Sequence, residues 1–419
     1  MSENSIVKTN QFEIQSLVIL SPNQNIEIDI RSIFEELNIH DSVLLNTISG
    51  DIIITDSIGT LKGFEFDGFQ YLYVEMSKTE DKRFSYKKLF HIYKQSLKYT
   101  IKPGAISYRL NFISDEYTVS EQTKVAQHYE FPYSKIAQLI LKDYLKIQKE
   151  KFGQFSNSQG IRSVIIPTMT PLDAITWCSK RALDTNDKPT FLFFENSDGF
   201  NFMSLNDIFK QTPLHDINIS PKNIVDNMNI ELFGTRNYEV IDQYDFIQNV
   251  TSGVFAKTGR FYDILNRTFK EIRSDFFKDQ IGLTSLNPKK NSPPAKINVH
   301  NLKPEQAYQS KIESYYYNSK PKGNEESPEK WLLQREAIFQ NLFAKRIRIE
   351  MSGLFTYTSG KLLKVFVPNF SVSTKQDEGL NQFLTGNYMI TSTHHKLRAE
   401  GQEHTTTMDL VSDSTITIK

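Results

Sequence analysis

The opening part of the chain alternates apolar and polar residues with the period of a β-strand. In 25–31 (NIEIDIR) three isoleucines alternate with charged residues, which is the pattern of a strand with one face in water. Further strands are predicted at 69–76 and at 105–113, the latter opened by the turn signal Pro103-Gly104. Several short strands at this spacing predict a small antiparallel barrel or sandwich.

Two shorter predictions lie inside this region. The segment 32–37 (SIFEEL) is compatible with one or two helical turns, with Ser32 as N-cap and Glu35 at the capping-box position. The β-branched runs 42–49 and 52–55 are separated by Gly50-Asp51 and predict a hairpin.

The pattern becomes helical after about residue 115. Apolar residues recur at helical spacing in 134–147, and Thr170-Pro171 is a favoured N-cap and N1 pair that begins a helix running to about residue 182. The runs 190–195 and 200–204 flank a turn in which Gly199 is free to take positive φ, so they predict a hairpin. The middle of the chain is therefore α+β.

The remainder is predicted to be mostly β. Six of the fifteen prolines lie between Thr284 and Lys330, and this stretch is expected to be a long connection or arm that is ordered only by packing on a neighbour. A helix is predicted at 331–343, and the strands are predicted at 244–262, 346–351, 361–368, 387–394 and 405–411.

The fold class that follows is α+β and β-rich, with two antiparallel β domains on either side of an α+β domain. The expected ranges are 1–115 for the first β domain, 116–235 for the α+β domain, 236–270 for the start of the second β domain, 271–330 for an insertion with the Pro-rich arm, and 331–419 for the remainder of the second β domain.

Composition narrows the class of protein. The 49 Lys+Arg and 49 Asp+Glu cancel, so no net charge directs the chain to nucleic acid or to an acidic membrane. The single cysteine excludes internal disulfides and Cys-based zinc sites. No apolar run reaches the roughly 18 residues of a transmembrane helix, and the N-terminus lacks a signal-peptide pattern. We expect a cytosolic protein or a particle assembled in the cytosol.

Residues that could carry chemistry are few. His394 and His395 are adjacent, so on a strand they point to opposite faces, and together with His404 they are expected to be hydrogen-bonded strand residues. Cys178 lies on the apolar side of a predicted helix and is expected to be a buried thiol. The glycines of GTLKGFEFDG have the wrong spacing for a nucleotide-binding loop, and HExxH, CxxC and GxSxG do not occur. No catalytic, metal or cofactor site is predicted.

One stretch is strongly basic. It contains Lys82, Arg83, Lys87 and Lys88 with interleaved tyrosines and phenylalanine. Nucleic-acid contact is compatible with this composition, but the aromatic residues favour an exposed loop that docks on a protein partner.

The order of elements and several phrases resemble the baseplate central hub proteins of contractile-tailed phages and the hub portion of type VI secretion spike proteins. The C-terminal phrases GKLLKV at 360–365, TGNYMI at 385–390, HHKL at 394–397 and TTTMDLVSD at 405–413 are similar to the closing strands of their second barrel. The phrase at 25–59 is similar to their first barrel, and 253–263 is similar to the start of the second.

The resemblance implies two tail-tube-type barrels per subunit and a non-enzymatic homotrimer whose ring has pseudo-sixfold symmetry. Such a ring joins the tail tube to the central spike, contacts other baseplate proteins, surrounds the DNA channel without specific binding and belongs to the virion. The chain ends six residues after Asp413, so a separate spike protein is expected.

Two alternatives stay open. A tube-initiator ring protein would use the same type of barrel but form a hexamer. A cell-wall hydrolase in the α+β part would need a convergent acid pair, for which Asp173, Asp198 and Glu195 are the candidates. Turn chemistry explains Glu195 and Asp198 without catalysis.

The neutral net charge hides an uneven distribution. Residues 1–70 contain eleven acids and three bases, a net charge of −8 that the remaining 349 residues balance. Because a lumen that repels DNA must be acidic, we expect Glu27 and Asp29 on the polar face of their strand to face the channel.

Overall fold

The computed structural model describes most of the chain. The described residues are 11–23, 25–78, 81–219, 235–242, 245–275, 282–290, 309–317, 328–343, 345–369 and 380–416, and the side chains of residues 81–84 and of some others in helices and strands are not described. No helix in this described part is long and apolar enough to cross a membrane.

Strands dominate the architecture. The strands are β1 Phe12–Ser21, β2 Ile26–Asp29, β3 Phe34–Ser42, β4 Ser49–Asp56, β5 Tyr71–Lys78, β6 Asp81–Lys102, β7 Ala105–Ser114, β8 His128–Phe131, β9 Phe152–Phe155, β10 Arg162–Ile165, β11 Phe191–Asn196, β12 Gly199–Ser204, β13 Asp216–Asn218, β14 Thr235–Asp242, β15 Ala256–Asp263, β16 Thr268–Asp275, β17 Lys289–Lys290, β18 Gln309–Tyr317, β19 Arg346–Ser352, β20 Leu362–Phe366, β21 Gly386–Arg398, β22 Glu403–Val411 and β23 Ser414–Thr415.

The helices are short and lie mainly in the middle of the chain. They are α1 Asp115–Glu121, α2 Tyr133–Asp143, α3 Pro171–Arg181, α4 Leu205–Phe209, α5 Phe246–Thr251 and α6 Pro328–Leu342, with 3-10 turns at Lys149–Lys151 and Glu400–Gln402.

One large sheet connects the beginning and the end of the chain. Its thirteen strands include the path β14-β19-β22-β21-β3-β4-β7-β6-β5-β1-β2, with β20 beside β21 and β13 beside β20. All neighbours along the main path are antiparallel, and β13 runs parallel to β20. The ladder between β21 and β3 is the only link in this path between strands of the first and the last part of the chain.

The two ends of the sheet bury separate apolar cores. The inward residues of β1, β3, β4, β5, β6 and β7 form one cluster, which includes Leu37, Val74 and Phe112. The inward residues of β19–β22 form another, which includes Ile349 and Tyr388. The described structure is therefore β-rich, with one large sheet serving two cores.

The middle of the chain packs between these parts through the hairpin β11–β12. Every residue of β11 is buried. Phe191 and Phe193 face helices α2 and α3, whereas Leu192 and Phe194 face α4, α6 and the strands β20–β22. Because alternate side chains of a strand point to opposite faces, a strand buried on both sides needs an unbroken apolar run. This requirement accounts for the phenylalanine-rich sequence.

Several local predictions are confirmed. Helix α3 begins at Pro171, and the Thr170 hydroxyl accepts a hydrogen bond from the amide of Asp173. Gly199 has φ of 112° at the turn of the β11–β12 hairpin. Helices α2 and α6 and strands β2, β5, β7, β19, β20, β21 and β22 lie where the patterns predict them, within a few residues at their ends and with β21 running four residues further, to Arg398.

The helix predicted at 32–37 is wrong, because residues from Phe34 onward form strand β3. This strand pairs with β4 on one side and with β21 on the other, so two ladders of hydrogen bonds outweigh a local capping signal.

The hairpin predicted with Gly50-Asp51 as its turn is also wrong. Both residues lie inside β4, and the β3–β4 hairpin is closed by 43–48.

The region between the middle of the chain and α6 also differs from prediction. Residues 246–251 form a helix rather than a strand, capped by the Asp245 carboxylate, which accepts from the amide of Gln248. Of the predicted Pro-rich arm, 291–308 and 318–327 lie outside the described residues. Residues 309–317 form β18, which pairs in parallel with β15 beside β16, so their order comes from this chain and not only from a neighbour.

Gly50 of β4 lies where its neighbours on β3 and β7 leave no room for a side chain. A Cβ atom on Gly50 would lie 2.0 Å from the carbonyl oxygen of Asn38 and 2.6 Å from the buried ring of Phe112. We expect Gly50→Ala to lower the free energy of unfolding by about 1–3 kcal/mol, because the strands must separate to admit the methyl group. Urea unfolding measures this loss. Ser49→Ala, on the same strand, is the control, and equal stability of the two variants would contradict the packing.

Candidate assembly interface

Strand β6 changes partners along its length. Residues 81–91 pair with β5, and residues from Phe90 to Lys102 pair with β7. From Tyr93 onward no strand in the described part of the chain pairs with the outer edge of β6. We call residues 93–102 the distal half of β6. Its unpaired backbone groups form an edge that another strand can extend.

Four side chains of this distal half are large, apolar and exposed. Tyr93, Leu97, Tyr99 and Ile101 are 52, 51, 53 and 53 % exposed. Lys94 and Lys98 are interleaved with them, and the Lys98 ammonium lies 5.5 Å from the centre of the Tyr108 ring. Aromatic and aliphatic side chains beside cations on a free strand edge are typical of a protein–protein interface rather than of a solvated surface.

The large sheet ends at β14 on one side and at β2 on the other. In the described structure β14 pairs with β19 alone. It carries the exposed carboxylates of Glu239 and Asp242, which lie 3.8 Å from Arg348 and 3.6 Å from Arg346 of β19. Strand β14 also carries Arg236, which pairs with Glu403, so its charges are of both signs and are engaged within the chain. Among the described residues, the outer edges of β14 and of the distal half of β6 have no strand partner.

Strand β21 shows how such an edge is satisfied within the chain. Residues 386–389 of β21 pair with β20, and residues 392–398 pair with β3. Ion pairs accompany the second ladder, since Glu36 of β3 lies 3.0 Å from Lys396 and 3.2 Å from Arg398. Burial raises the pKa of Glu36, but the hydrogen bonds from Asn38, Lys396 and Arg398 outweigh burial and hold it below its usual value.

Histidines lie on both faces of this β21·β3 ladder. On one face His394 stacks on His40, with ring centres 4.2 Å apart, and contacts the Asn38 side chain. On the other face His395 lies 3.2 Å from His404 and donates to the carbonyl oxygen of Tyr357. The prediction that His394 and His395 point to opposite faces is confirmed. The sequence did not indicate His40, because only the register of β3 against β21 brings it to His394.

Burial keeps these histidines neutral. It lowers the pKa of His394 and of His395 to about 4, helped in each case by neighbouring histidines. It also lowers the pKa of His40 and, further, that of His404, to which His395 and Lys78 add. No group of three potential metal ligands occurs among the described residues.

The residues predicted to face a lumen lie on the outermost strand of the first part of the sheet. Glu27 and Asp29 are both exposed on β2. The Asp29 carboxylate lies 2.6 Å from the Arg31 guanidinium, and this hydrogen bond lowers the pKa of Asp29. The lumen-facing role of these residues stays a prediction.

The basic stretch is not a loop but part of strand β6. The side chains of Lys82 and Arg83 lie outside the described part. Lys87 is exposed, 3.8 Å from Glu75, whereas Lys88 is half-buried in an ion pair with Glu195. Lys88 is therefore engaged inside the chain, and the docking role of the stretch stays a prediction.

Glu195 joins the first β part to the middle of the chain. Its side chain is only 3 % exposed. Besides the Lys88 ammonium, its carboxylate accepts from the Ser114 hydroxyl at 2.6 Å and from the Ile48 amide at 3.0 Å. The explanation of Glu195 by turn chemistry is therefore wrong. Its carboxylate is buried and binds residues of the first β part to the middle of the chain.

The other two carboxylates that were candidates for a hydrolase site, Asp173 and Asp198, each bind a neighbouring side chain. Asp173 accepts from Thr170 at the beginning of α3, and Asp198 forms a 2.6 Å ion pair with Lys361. Cys178 is buried, as predicted, and burial raises the pKa of its thiol.

Comparison of the fold with solved structures finds tail proteins. A tail protein from Neisseria meningitidis MC58 is 8 % identical, with a TM-score of 0.53 over 96 % of this chain and 97 % of that one. The 43 kDa tail protein of prophage MuSo2 from Shewanella oneidensis is 10 % identical, with a TM-score of 0.54 over 96 % of this chain and 99 % of that one. At these identities the likeness establishes the fold alone.

A protein of the type VI secretion system, c3393 of E. coli, has a TM-score of 0.45 and is too distant to support an argument. No protein-family model and no curated protein sequence matches the chain. The resemblance to tail proteins read from the sequence is confirmed at the level of the fold.

Removing Lys88 should be costly because Glu195 would stay buried without its counter-charge. We expect Lys88→Met to lower the free energy of unfolding by about 3 kcal/mol. Lys87→Met, one residue away and exposed, should change it by less than about 0.5 kcal/mol. Urea unfolding compares the two, and similar losses would show that the ion pair does not hold the parts together.

Acid should weaken the β21·β3 ladder. The folded-state pKa of His394 and His395 lies below the unfolded value, so the unfolded state binds more protons once the pH falls below about 6.5. Each histidine should then cost up to about 1.4 kcal/mol per pH unit down to pH about 4. Asp41, whose burial raises its pKa to about 6, acts in the opposite direction below that pH and offsets part of the loss.

Urea unfolding at pH 7, 6 and 5 measures this slope. The double variant His395→Gln/His404→Gln should show a shallower slope even if its stability at pH 7 is lower. His128→Gln, at an exposed position on β8, should keep the parent slope, and a parent stability that is unchanged from pH 7 to 5 would refute the assignment.

Proposed function

We propose that this chain is the central hub protein of a contractile-tail baseplate. Three copies form a ring with pseudo-sixfold symmetry, each copy contributing two tail-tube-type barrels that correspond to 1–115 and to 236–270 with 331–419. The α+β domain, 116–235, lies between them, and 271–330 is an insertion in the second barrel. The ring joins the tail tube to the central spike in the virion and acts without enzymatic activity.

The observation that carries the proposal is the extent of the shared fold. The alignment with the two tail proteins covers nearly all of this chain and nearly all of theirs. A tail role for the whole chain therefore explains every part of it, whereas a hydrolase would need only the middle. Both are tail proteins, which supports a structural role here.

The free strand edges support a ring. An exposed apolar edge is a liability for a monomer, because it pairs with any strand that reaches it. A ring removes the liability by pairing each edge with a neighbour. The acidic β2 strand, with Glu27 and Asp29, is proposed to line the DNA channel, where carboxylates repel the passing phosphates.

The mass of the assembly tests the proposal. Native mass spectrometry of the full chain should give a trimer, three times 48.5 kDa. A hexamer would favour the tube-initiator ring instead. A monomer at every concentration tested would contradict both the trimeric and the hexameric ring.

Co-expression with a candidate spike protein is a second test. It should yield a complex with three copies of each protein. If none of the candidate spike proteins binds the trimer, the hub role is contradicted.

A further inference from the structure

The chain between β14 and β19 contains a small sheet of its own. Strand β15 lies in its centre, antiparallel to β16 and parallel to β18. Helix α6 covers one face of this sheet, where Phe261 is buried and a Cβ atom on Gly259 would lie 3.0 Å from Leu333 of the helix. Lys257 on the same face pairs with Glu336 of α6. One face of the small sheet is therefore satisfied within the chain.

The other face exposes three neighbouring aromatic rings. Phe269 of β16 lies opposite Tyr262 of β15, which lies opposite Tyr316 of β18. We call these three residues the aromatic row. Their side chains are 61, 37 and 73 % exposed, and the two tyrosine rings lie 6.2 Å apart at an angle of 70°. Three adjacent exposed rings exceed the singly scattered apolar residues that a protein surface normally shows.

The hairpin between β15 and β16 is exposed beyond this row. All residues from 264 to 270 are exposed, and Ile264 and Leu265 of the turn are 51 and 60 % exposed. The Asp263 carboxylate accepts from the amides of Leu265 and Asn266, at 3.0 and 3.3 Å. These hydrogen bonds fix the turn, so the hairpin presents its two apolar side chains in one geometry.

The side chains change character in a fixed order away from this tip. The apolar turn residues come first, and the aromatic row comes second. Two residues further along each strand, about 7 Å from the aromatic row, Arg260 lies opposite Glu271 and forms a 3.1 Å ion pair with it. Apolar, aromatic and charged side chains therefore follow one another as acyl chains, headgroups and water do across one leaflet of a bilayer.

The charges of the hairpin are compatible with phosphate headgroups. Residues 256–275 contain five bases and three acids, a net charge of +2. Arg267 is the one charged residue between the apolar turn and the aromatic row, and a long arginine side chain reaches headgroups from a position close to the acyl chains. Arg260 is paired with Glu271, and Lys270 lies 3.5 Å from Glu329. Because these cations are engaged within the chain, we expect apolar insertion rather than charge to dominate binding.

The arrangement differs from that of a protein interface. Interfaces between proteins have an apolar centre with a polar rim around it. Here apolar side chains reach the end of the hairpin, and the ion-paired row of Arg260 lies behind them. This order suits an element that enters a lipid surface by its tip.

We propose that the β15–β16 hairpin binds a lipid surface tip first. Ile264 and Leu265 enter the acyl region, the aromatic row lies at the level of the headgroups, and Arg260 stays in water. The inference goes beyond the proposed ring and does not depend on it, because one hairpin of one copy is enough for contact. A threefold ring would present three hairpins on one side and strengthen binding by multivalency.

Vesicle flotation tests this contact with the full chain. The vesicles contain equal parts of phosphatidylcholine and phosphatidylglycerol, and the fraction of protein that floats with them gives the partition constant. The parent should bind. The tip variant Ile264→Ser/Leu265→Ser should have a partition constant about tenfold lower or less, because two side chains that enter the acyl region become polar.

A matched control removes the same number of apolar side chains elsewhere. Ile161→Ser/Ile312→Ser changes two isoleucines that are 58 and 55 % exposed, close to the values at the tip. Ile312 lies on the same face of the small sheet but opposite Thr258, four residues or about 13 Å from the aromatic row. The control variant should bind vesicles like the parent. Circular dichroism and urea unfolding identical to those of the parent establish that both variants fold.

The outcomes separate the lipid contact from the ring. Weaker binding by the tip variant together with parent-like binding by the control supports the inference. A parent that does not float, a tip variant that binds like the parent, or equal losses in the tip and control variants each overturn it. Native mass spectrometry of the same proteins reports the ring independently. If the parent does not float and the tip variant loses the trimer, the hairpin is a protein contact and the lipid inference is wrong.

A fluorescent label measures depth directly. Leu265→Cys, labelled with an environment-sensitive dye, should shift its emission to shorter wavelength on addition of vesicles and be quenched by lipids brominated on their acyl chains. The same dye at Ile312→Cys should show neither change, and Cys178 is buried and stays in place. A dye at position 265 that remains in water while the protein floats overturns the tip-first orientation.

Discussion

The rest of the structure depends on the ladder between β21 and β3. It joins residues more than 350 positions apart, such as Arg398 and Glu36, and it makes one sheet from the two ends of the chain. Within this ladder, Asp41 lies opposite Thr393, is buried, and accepts from the Thr358 hydroxyl and the Ser359 amide. A buried carboxylate is costly unless its hydrogen bonds are satisfied. Asp41 therefore fixes the loop after β19 against β3 in one geometry.

The middle of the chain is held between the two cores by contacts of two kinds. The β11–β12 hairpin places phenylalanines on both of its faces, so apolar burial acts in two directions. The Glu195 carboxylate adds a directional contact to Lys88, Ser114 and Ile48. Hydrophobic packing tolerates small rotations, whereas a buried hydrogen-bonded ion pair fixes orientation. Together they fix the orientation of the middle of the chain against the sheet.

A strand that changes partner at a register shift provides two contacts with one element. The first half of β21 completes its own β unit, and the second half reaches the neighbouring unit. The same design in β6 leaves its second half exposed, with lysines among the apolar residues. Lysines on an open edge discourage indiscriminate pairing and admit a strand of opposite charge.

The sequence by itself determined the elements whose signals are local. The caps of α3, the glycine of the β11–β12 turn and the alternation in β7 each follow from residues within a few positions of one another, and the order of such elements was enough to indicate the tail-protein fold. Only the tertiary structure decided that 34–42 is a strand, that Gly50 lies inside a ladder, and that His40, Lys88 and Glu195 meet partners distant in the chain. The physical reason is that strand pairing and ion pairs form between residues far apart in sequence, so their energies override local propensity and have no signature within a short window.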